Sequence, residues 1–345
     1  MSRIPYLALL AVWLFGVCLC LPLPAQNGVP QPPAKDSVFA EARTLLESGH
    51  ADEAIAKLKE LQARAPQTKG LWRELAIAQY RKGDYVAAIL SFNAAIAEDP
   101  SDKESTQLAG LSYYLTGKPA QAIPLLEKVQ TWYPRANIDA SYILGVCYIQ
   151  SKDYEHARGA FGRMFDVAPD SAASYLFTAR MLMRQEFDPV AEEFAKKATT
   201  LDAKLPLAHF LLGELYLYKS RVPEAVTEFE QELKINPAHS DTLYKLADAY
   251  SRVERYDDAE RLLQRSIWLN STSTGPFILM GKVLQKKGEY ELAARALQRA
   301  ISMDPNNPIP HHLLGQTYRD MGKKQEAESE LKLAEQLRTK QDSTP

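Results

Sequence analysis

Residues 71–100 read LWRELAIAQYRKGDYVAAILSFNAAIAEDP. Trp72, Leu75 and Ala76 fall three and four apart, the spacing that lines one face of a helix. Gly83 breaks the pattern, and Ala88, Phe92 and Ala95 resume it. Pro100 then closes the stretch, because proline cannot continue a helix interior. The stretch predicts two helices joined by a tight turn. Glycine at that turn suits the left-handed backbone that ends a helix.

The same unit recurs along the chain. Alanines stand at 54, 88, 122, 157, 191, 225, 259, 293 and 327, spaced 34 residues apart except for one interval of 35. Four residues after the alanine comes a large apolar side chain: Leu58, Phe92, Leu126, Phe161, Phe229, Leu263, Leu297 or Leu331, with Ala195 as the exception. Twelve residues before it stands a small one: Ala42, Ala76, Gly110, Gly145, Ala179, Gly213, Ala247, Gly281 or Gly315. The small residue is expected to face the repeat alanine so that the paired helices approach closely. Pro66, Pro100, Pro134, Pro169, Pro237 and Pro305 close most units, with Ala203 and Ser271 in their place in the fifth and seventh. Each helix pair leaves an apolar face that the next pair covers, so the period predicts a stack.

This pattern resembles the tetratricopeptide repeat family. Residues 72–100 nearly spell its signature, and Leu212–Gly213–Tyr216 with Ala225–Phe229–Pro237, and Met280–Gly281 with Ala293–Leu297–Ala300–Pro305, match it comparably. The resemblance implies an all-α, right-handed superhelical α-solenoid of about nine helix-turn-helix repeats over residues 35–341. These start near 35, 69, 103, 138, 172, 206, 240, 274 and 308. Polar positions on the outer side of the last helix, 323–337, suit a terminal cap, and residues 341–345 are expected to fray.

Ahead of the repeats, Arg3 precedes an uncharged run from Ile4 to Leu21 and the small exit residue Ala25. Residues 1–25 therefore predict a secretory signal peptide, or a membrane anchor at 4–21 if uncleaved. Gln26–Ala34 carries three prolines and predicts an extended linker. The expected location is outside the cytoplasm, periplasmic or secreted, with membrane contact only through an uncleaved N-terminus.

Composition narrows the function. A net charge of −2, from 41 basic and 43 acidic residues mixed along the chain, has no basic stripe for nucleic acid. Cys18 and Cys20 lie in the N-terminal run, which leaves Cys147 as a lone thiol within a helical pattern, expected to be buried and inert. The six histidines are scattered, and no HExxH, phosphate loop or nucleophile elbow occurs. The carboxylates are expected on solvated helix faces and in i,i+4 pairs. An enzyme is therefore not expected, and no cofactor or metal is implied.

What remains is binding. In the resembled family a second stripe on each first helix lines a concave groove. The corresponding residues here include Arg73, Ile77 and Tyr80; Leu111 and Tyr114; Tyr142, Val146 and Ile149; and Leu176, Arg180 and Arg184. Phe210, Leu217, Tyr218 and Tyr244 continue the stripe. The groove candidates are Arg73, Tyr80, Tyr114, Tyr142, Leu176, Arg180, Arg184, Phe210, Tyr218 and Tyr244, with Arg180 and Arg184 one turn apart and suited to a carboxylate. Repeats seven to nine carry mostly polar residues there. The function this implies is a scaffold or adaptor holding a partner peptide or protein. The alternative is a structural part of a cell-envelope assembly, such as polysaccharide export or pilus biogenesis.

Overall fold

The structure, a computed structural model, describes residues 35–133, 138–184 and 188–342. The expected signal peptide and linker, and Pro134, lie outside the described residues. Eighteen α-helices and no strand occur among the described residues. They come in consecutive antiparallel pairs: α1 (Lys35–Glu47) with α2 (Ala51–Arg64), α3 (Leu71–Lys82) with α4 (Tyr85–Glu98), and α5 (Lys103–Leu115) with α6 (Pro119–Trp132). Next are α7 (Ile138–Gln150) with α8 (Tyr154–Met164), α9 (Ala172–Arg184) with α10 (Asp188–Leu201), and α11 (Ala208–Tyr218) with α12 (Val222–Ile235). The last three are α13 (Ser240–Arg252) with α14 (Tyr256–Leu269), α15 (Thr274–Lys286) with α16 (Tyr290–Met303), and α17 (Pro308–Asp320) with α18 (Lys324–Asp342).

The chain divides into two compact units between Thr68 and Lys69. In the first, α1 and α2 close Val38, Phe39, Ala42 and Leu46 over Ala54, Leu58 and Leu61. In the second, each pair from α3 onward stacks on the next, so this unit is an α-solenoid. One apolar cluster runs through it from Ala122 to Ala293. At α3–α5, α5–α7, α9–α11, α11–α13, α13–α15 and α15–α17 a first helix also touches the first helix of the following pair, while second helices of neighbouring pairs stay apart. The first helices therefore form the closer-set, inner wall of the stack.

The repeat alanines are the pivots of this packing, all at most 4% exposed. The partner expected for the small residue is corrected. At five repeats the glycine sits against the large residue four positions beyond the alanine: Gly110 against Leu126, Gly145 against Phe161, Gly213 against Phe229, Gly281 against Leu297 and Gly315 against Leu331. A Cβ on Gly213 would stand 2.4 Å from the Phe229 ring. The glycine makes room chiefly for a knob, as ridges entering grooves require, and at Gly315 the repeat alanine Ala327 also comes close, its carbonyl oxygen at 3.1 Å.

Turn chemistry follows expectation at Gly49, Gly83, Gly117, Gly288 and Gly322, which take φ between 71° and 85°. Lys152, Ser220 and Glu254 hold the same left-handed backbone without being glycine. Asp84, Asp102 and Asp153 cap α4, α5 and α8 by accepting from backbone N–H groups of the first turn. On α18, Ala327 and Ala334 are buried and the polar side is exposed, as a cap requires. The helix extends past the expected 337, however, and the expected fraying does not hold at Gln341, which is helical and donates to the Asn306 carbonyl at 3.3 Å. Residues 343–345 lie outside the described residues.

Candidate functional site: the wall of first helices

The groove candidates lie on α3, α5, α7, α9, α11 and α13, and the structure sorts them by what the neighbouring pair leaves uncovered. Leu176 is corrected from groove to core: it is 4% exposed and belongs to the continuous cluster, as do Val146, Ile149 and Leu217. The stripe is only about 100° from the core stripe, so a neighbouring first helix covers much of it.

Tyr80, Tyr114, Tyr142, Phe210 and Tyr244 are half-buried, each with one side against the core and the rest open. Tyr80 meets Tyr85 and Phe92 edge-on. Phe210 packs at 5.9 Å from Phe229 and at 5.2 Å from His239. Tyr244 lies under Gly275, where a Cβ would come 3.2 Å from its hydroxyl. Burial raises the phenol pKa of Tyr80, Tyr114 and Tyr244 above the ordinary value, with smaller contributions from Tyr85, from Tyr142 and Cys147, and from Asp248 respectively. All three therefore present neutral O–H groups at physiological pH. They can donate a hydrogen bond to a ligand while offering it a flat apolar face.

Arg73 is engaged: its guanidinium pairs with Glu104 on the next first helix and lies 3.4 Å from Asp102, which caps that helix. Arg180 and Arg184 are exposed, and neither makes an ion pair among the described residues. Tyr218, at the end of α11, is 77% exposed. Tyr218, Arg180 and Arg184 are thus the side chains of the set that reach furthest into solvent.

Several polar anchors escaped the sequence reading. Glu192 on α10 holds Lys196 at 2.7 Å, Lys219 at 2.8 Å and Arg221 at 3.0 Å, bridging to the turn of the next pair. Burial pushes its pKa up, but the three donors outweigh that and bring it down to about 2. Lys287 gathers Asp257, Glu260 and Glu289 in the same way, two repeats further on. His209 and His311 bridge their pairs alike, to Glu228 and Glu330 and to the carbonyls of Ala203 and Pro305. Recurrence of these residues at multiples of the 34-residue period, 68 for Glu192 and Glu260 and 102 for His209 and His311, was the available signal. Cys147 is fully buried, with its thiol pKa pushed up to about 12 by burial. Among the described residues no group of three or more His, Cys, Asp or Glu could hold a metal ion. No helix of the described residues is long and apolar enough to cross a membrane.

The stacked helix pairs, with an inner wall of half-buried aromatics, define an α-solenoid repeat protein. Within that class the chain carries tetratricopeptide repeats: profiles so described match residues 39–103, 242–276, 281–322 and 310–341. A profile for anaphase-promoting complex, cyclosome, subunit 3 matches residues 81–164. Among curated proteins, the RNA polymerase-associated protein CTR9 of Caenorhabditis elegans is 21% identical, over 54% of this chain and 20% of that protein. Superkiller complex protein 3 of Mus musculus is 23% identical, over 66% of this chain and 15% of its own length. The chain thus spans about a fifth or less of these two relatives. Among solved structures, YrrB, described as a TPR protein with an unusual peptide-binding site, is 24% identical over 52% of this chain and 93% of that one, with a TM-score of 0.46. MamA from Desulfovibrio magneticus RS-1 is 21% identical over 50% of this chain and 98% of that one, with a TM-score of 0.47.

Proposed function

We propose that this chain is an exported protein-interaction scaffold that holds a partner peptide or protein along its first-helix wall, and that it is not an enzyme. The observation that carries this reading is the row of half-buried aromatic side chains at Tyr80, Tyr114, Tyr142, Phe210 and Tyr244, extended by exposed Tyr218, Arg180 and Arg184. Rigid aromatics and arginines are the residues that anchor interfaces, because they desolvate large areas while losing few rotamers. The names of the curated relatives, an RNA polymerase-associated protein and a protein named for a complex, accord with a role in assemblies. Export rests on residues 1–25 alone, with a periplasmic or secreted destination.

A second reading, a structural part of a cell-envelope assembly, draws on the opposite side. Val86 and Leu90 on α4 are 62% and 70% exposed, and Trp268 on α14 is 83% exposed. One experiment separates the two. A photo-crosslinking amino acid is placed at Tyr218 in one version of the protein and at Leu90 or Trp268 in others, each expressed in the native host. Adducts to one partner from Tyr218, lost in a Tyr142→Ala/Arg184→Ala background, support the groove scaffold. Adducts only from Leu90 or Trp268 transfer the contact to the second helices and support the assembly reading.

A further inference from the structure

The ionisable residues of the first-helix wall are unevenly matched. Four of its carboxylates have partners: Glu104 with Arg73, Glu214 with Lys245 at 2.9 Å, Asp248 with Arg252 at 2.8 Å, and Asp320 with the Gln285 amide at 3.1 Å, while exposed Asp241 meets only the Ser240 hydroxyl at 3.4 Å. Several cations on first helices have no such partner, among them two pairs that each share one helix. Arg180, Arg184, Lys282 and Lys286 are exposed and form no ion pair among the described residues.

These four are related by the repeat. Lys282 follows Arg180, and Lys286 follows Arg184, by three 34-residue periods, so each pair occupies the same two register positions on its helix. Between them those positions hold Glu214 with Tyr218, and Asp248 with Arg252. Like charges four residues apart on a helix repel each other. The helix dipole favours Arg184 and Lys286, which end α9 and α15, but its influence fades one turn further in, at Arg180 and Lys282. Two repelling pairs at matching places on the wall leave positive charge that no carboxylate among the described residues pairs with.

We propose that the groove takes an acidic peptide segment built in two blocks. Carboxylates of one block are held by Arg180 and Arg184, those of the other by Lys282 and Lys286, with an uncharged stretch between them. The proposal rests on the groove reading above and names its ligand. The middle of the ligand is uncharged because it passes Glu214 and Asp248, whose pairing with Lys245 and Arg252 leaves no free positive charge there to hold an acidic side chain. The same two carboxylates argue against a single-stranded nucleic acid, whose evenly charged backbone needs an unbroken basic track. The arginine end offers planar forks that grip a carboxylate with two bonds, and the lysine end offers point charges, so the arginine block is the tighter.

The test uses the purified full-length protein and fluorescein-labelled peptides carrying a glutamate block at each end of a Gly/Ser linker of graded length. Controls are a one-block peptide, a glutamine-for-glutamate peptide and an oligothymidylate. Linked sites gain avidity only when the linker spans them, so one linker length binds best. Arg180→Gln/Arg184→Gln and Lys282→Gln/Lys286→Gln should each weaken that peptide by about 10- to 100-fold, to the level of the one-block peptide. Added salt should weaken wild-type binding. The thermal midpoint of each variant should be unchanged or raised, since a repulsion has been removed, which separates lost binding from lost folding. Equal binding by wild type and both variants, or tighter binding of oligothymidylate than of any peptide, overturns the proposal. The Tyr218 crosslink distinguishes the two levels. If it survives in the quadruple variant, the groove stands and the acidic ligand falls; if it is absent from wild type, the groove reading itself falls.

Discussion

Gly213 and Gly315 occupy the same repeat position, yet their surroundings assign them unequal tolerances. A Cβ on Gly213 would meet the Phe229 ring at 2.4–2.7 Å, and Phe229 is fully buried. Alanine gains about 1 kcal/mol of helix propensity over glycine. Against a ring that cannot move, overpacking of about 1–3 kcal/mol outweighs that gain, so Gly213→Ala should lower stability in urea unfolding, and Gly213→Leu should lower it more. At Gly315 the nearest obstacle is Leu331, a half-exposed side chain on the last helix that can swing aside, with the Ala327 carbonyl oxygen at 3.1 Å behind it. Gly315→Ala should therefore cost less than Gly213→Ala, and equal losses at the two sites would refute this account of the repeat position. The small-residue register was plain in the sequence, because a 34-residue beat marks every site. What each glycine faces was not, since which of two residues a turn apart it meets depends on helix crossing. The groove candidates failed for the same reason at Leu176, whose burial is decided by the neighbouring first helix.

Whole helices are joined by groups that no single-helix pattern displays. Glu192 of α10 reaches Lys219 and Arg221 at the turn between α11 and α12, and with Lys196 these hold its pKa near 2 against an ordinary 4.5. A carboxylate whose folded pKa is depressed stabilises above its unfolded pKa, and that contribution fades as pH falls from about 4.5 toward 2. Solvent screening limits the net effect, so Glu192→Gln should cost about 1–2 kcal/mol at pH 7, and the difference from wild type should close in unfolding titrations as pH approaches 2. A gap that stays constant with pH would mean that Glu192 acts by packing alone. The same register positions carry Glu192 with Lys219, then Val226 with Val253, then Glu260 with Lys287. Charge thus alternates with hydrocarbon at one joint, a pairing visible only when residues in adjacent repeats are compared. Turns offer a second check. Glu254 holds φ 61°, where a side chain clashes with its own backbone at about 1–2 kcal/mol. Glycine stands at this place in five other turns, so Glu254→Gly should raise stability by about 0.5–1 kcal/mol after the greater entropy of its unfolded chain is counted.

In the whole second unit each helix pair has only its neighbours to lean on. Stability of such a stack is a sum of pair terms and neighbour terms, so damage should spread along the chain rather than everywhere at once. Gly213→Leu places the damage between α11 and α12, and the cluster through Ala179, Leu182, Leu246 and Ala247 carries it to the flanking pairs. Hydrogen exchange followed by mass spectrometry should show faster exchange in peptides of α9–α14, with protection of α3, α4, α17 and α18 close to wild type. The continuous core from Ala122 to Ala293 argues for some spread, because no break in it isolates one pair from the next. Two outcomes therefore carry opposite meanings. Loss graded outward from α11 and α12 would mean that a groove bound at one end can be loosened or tightened without unfolding the other, as a ligand held at both Arg180 and Lys282 would require. Uniform loss across α3–α18 would mean the unit unfolds as one block, and a ligand bridging those two sites would then stabilise every pair together.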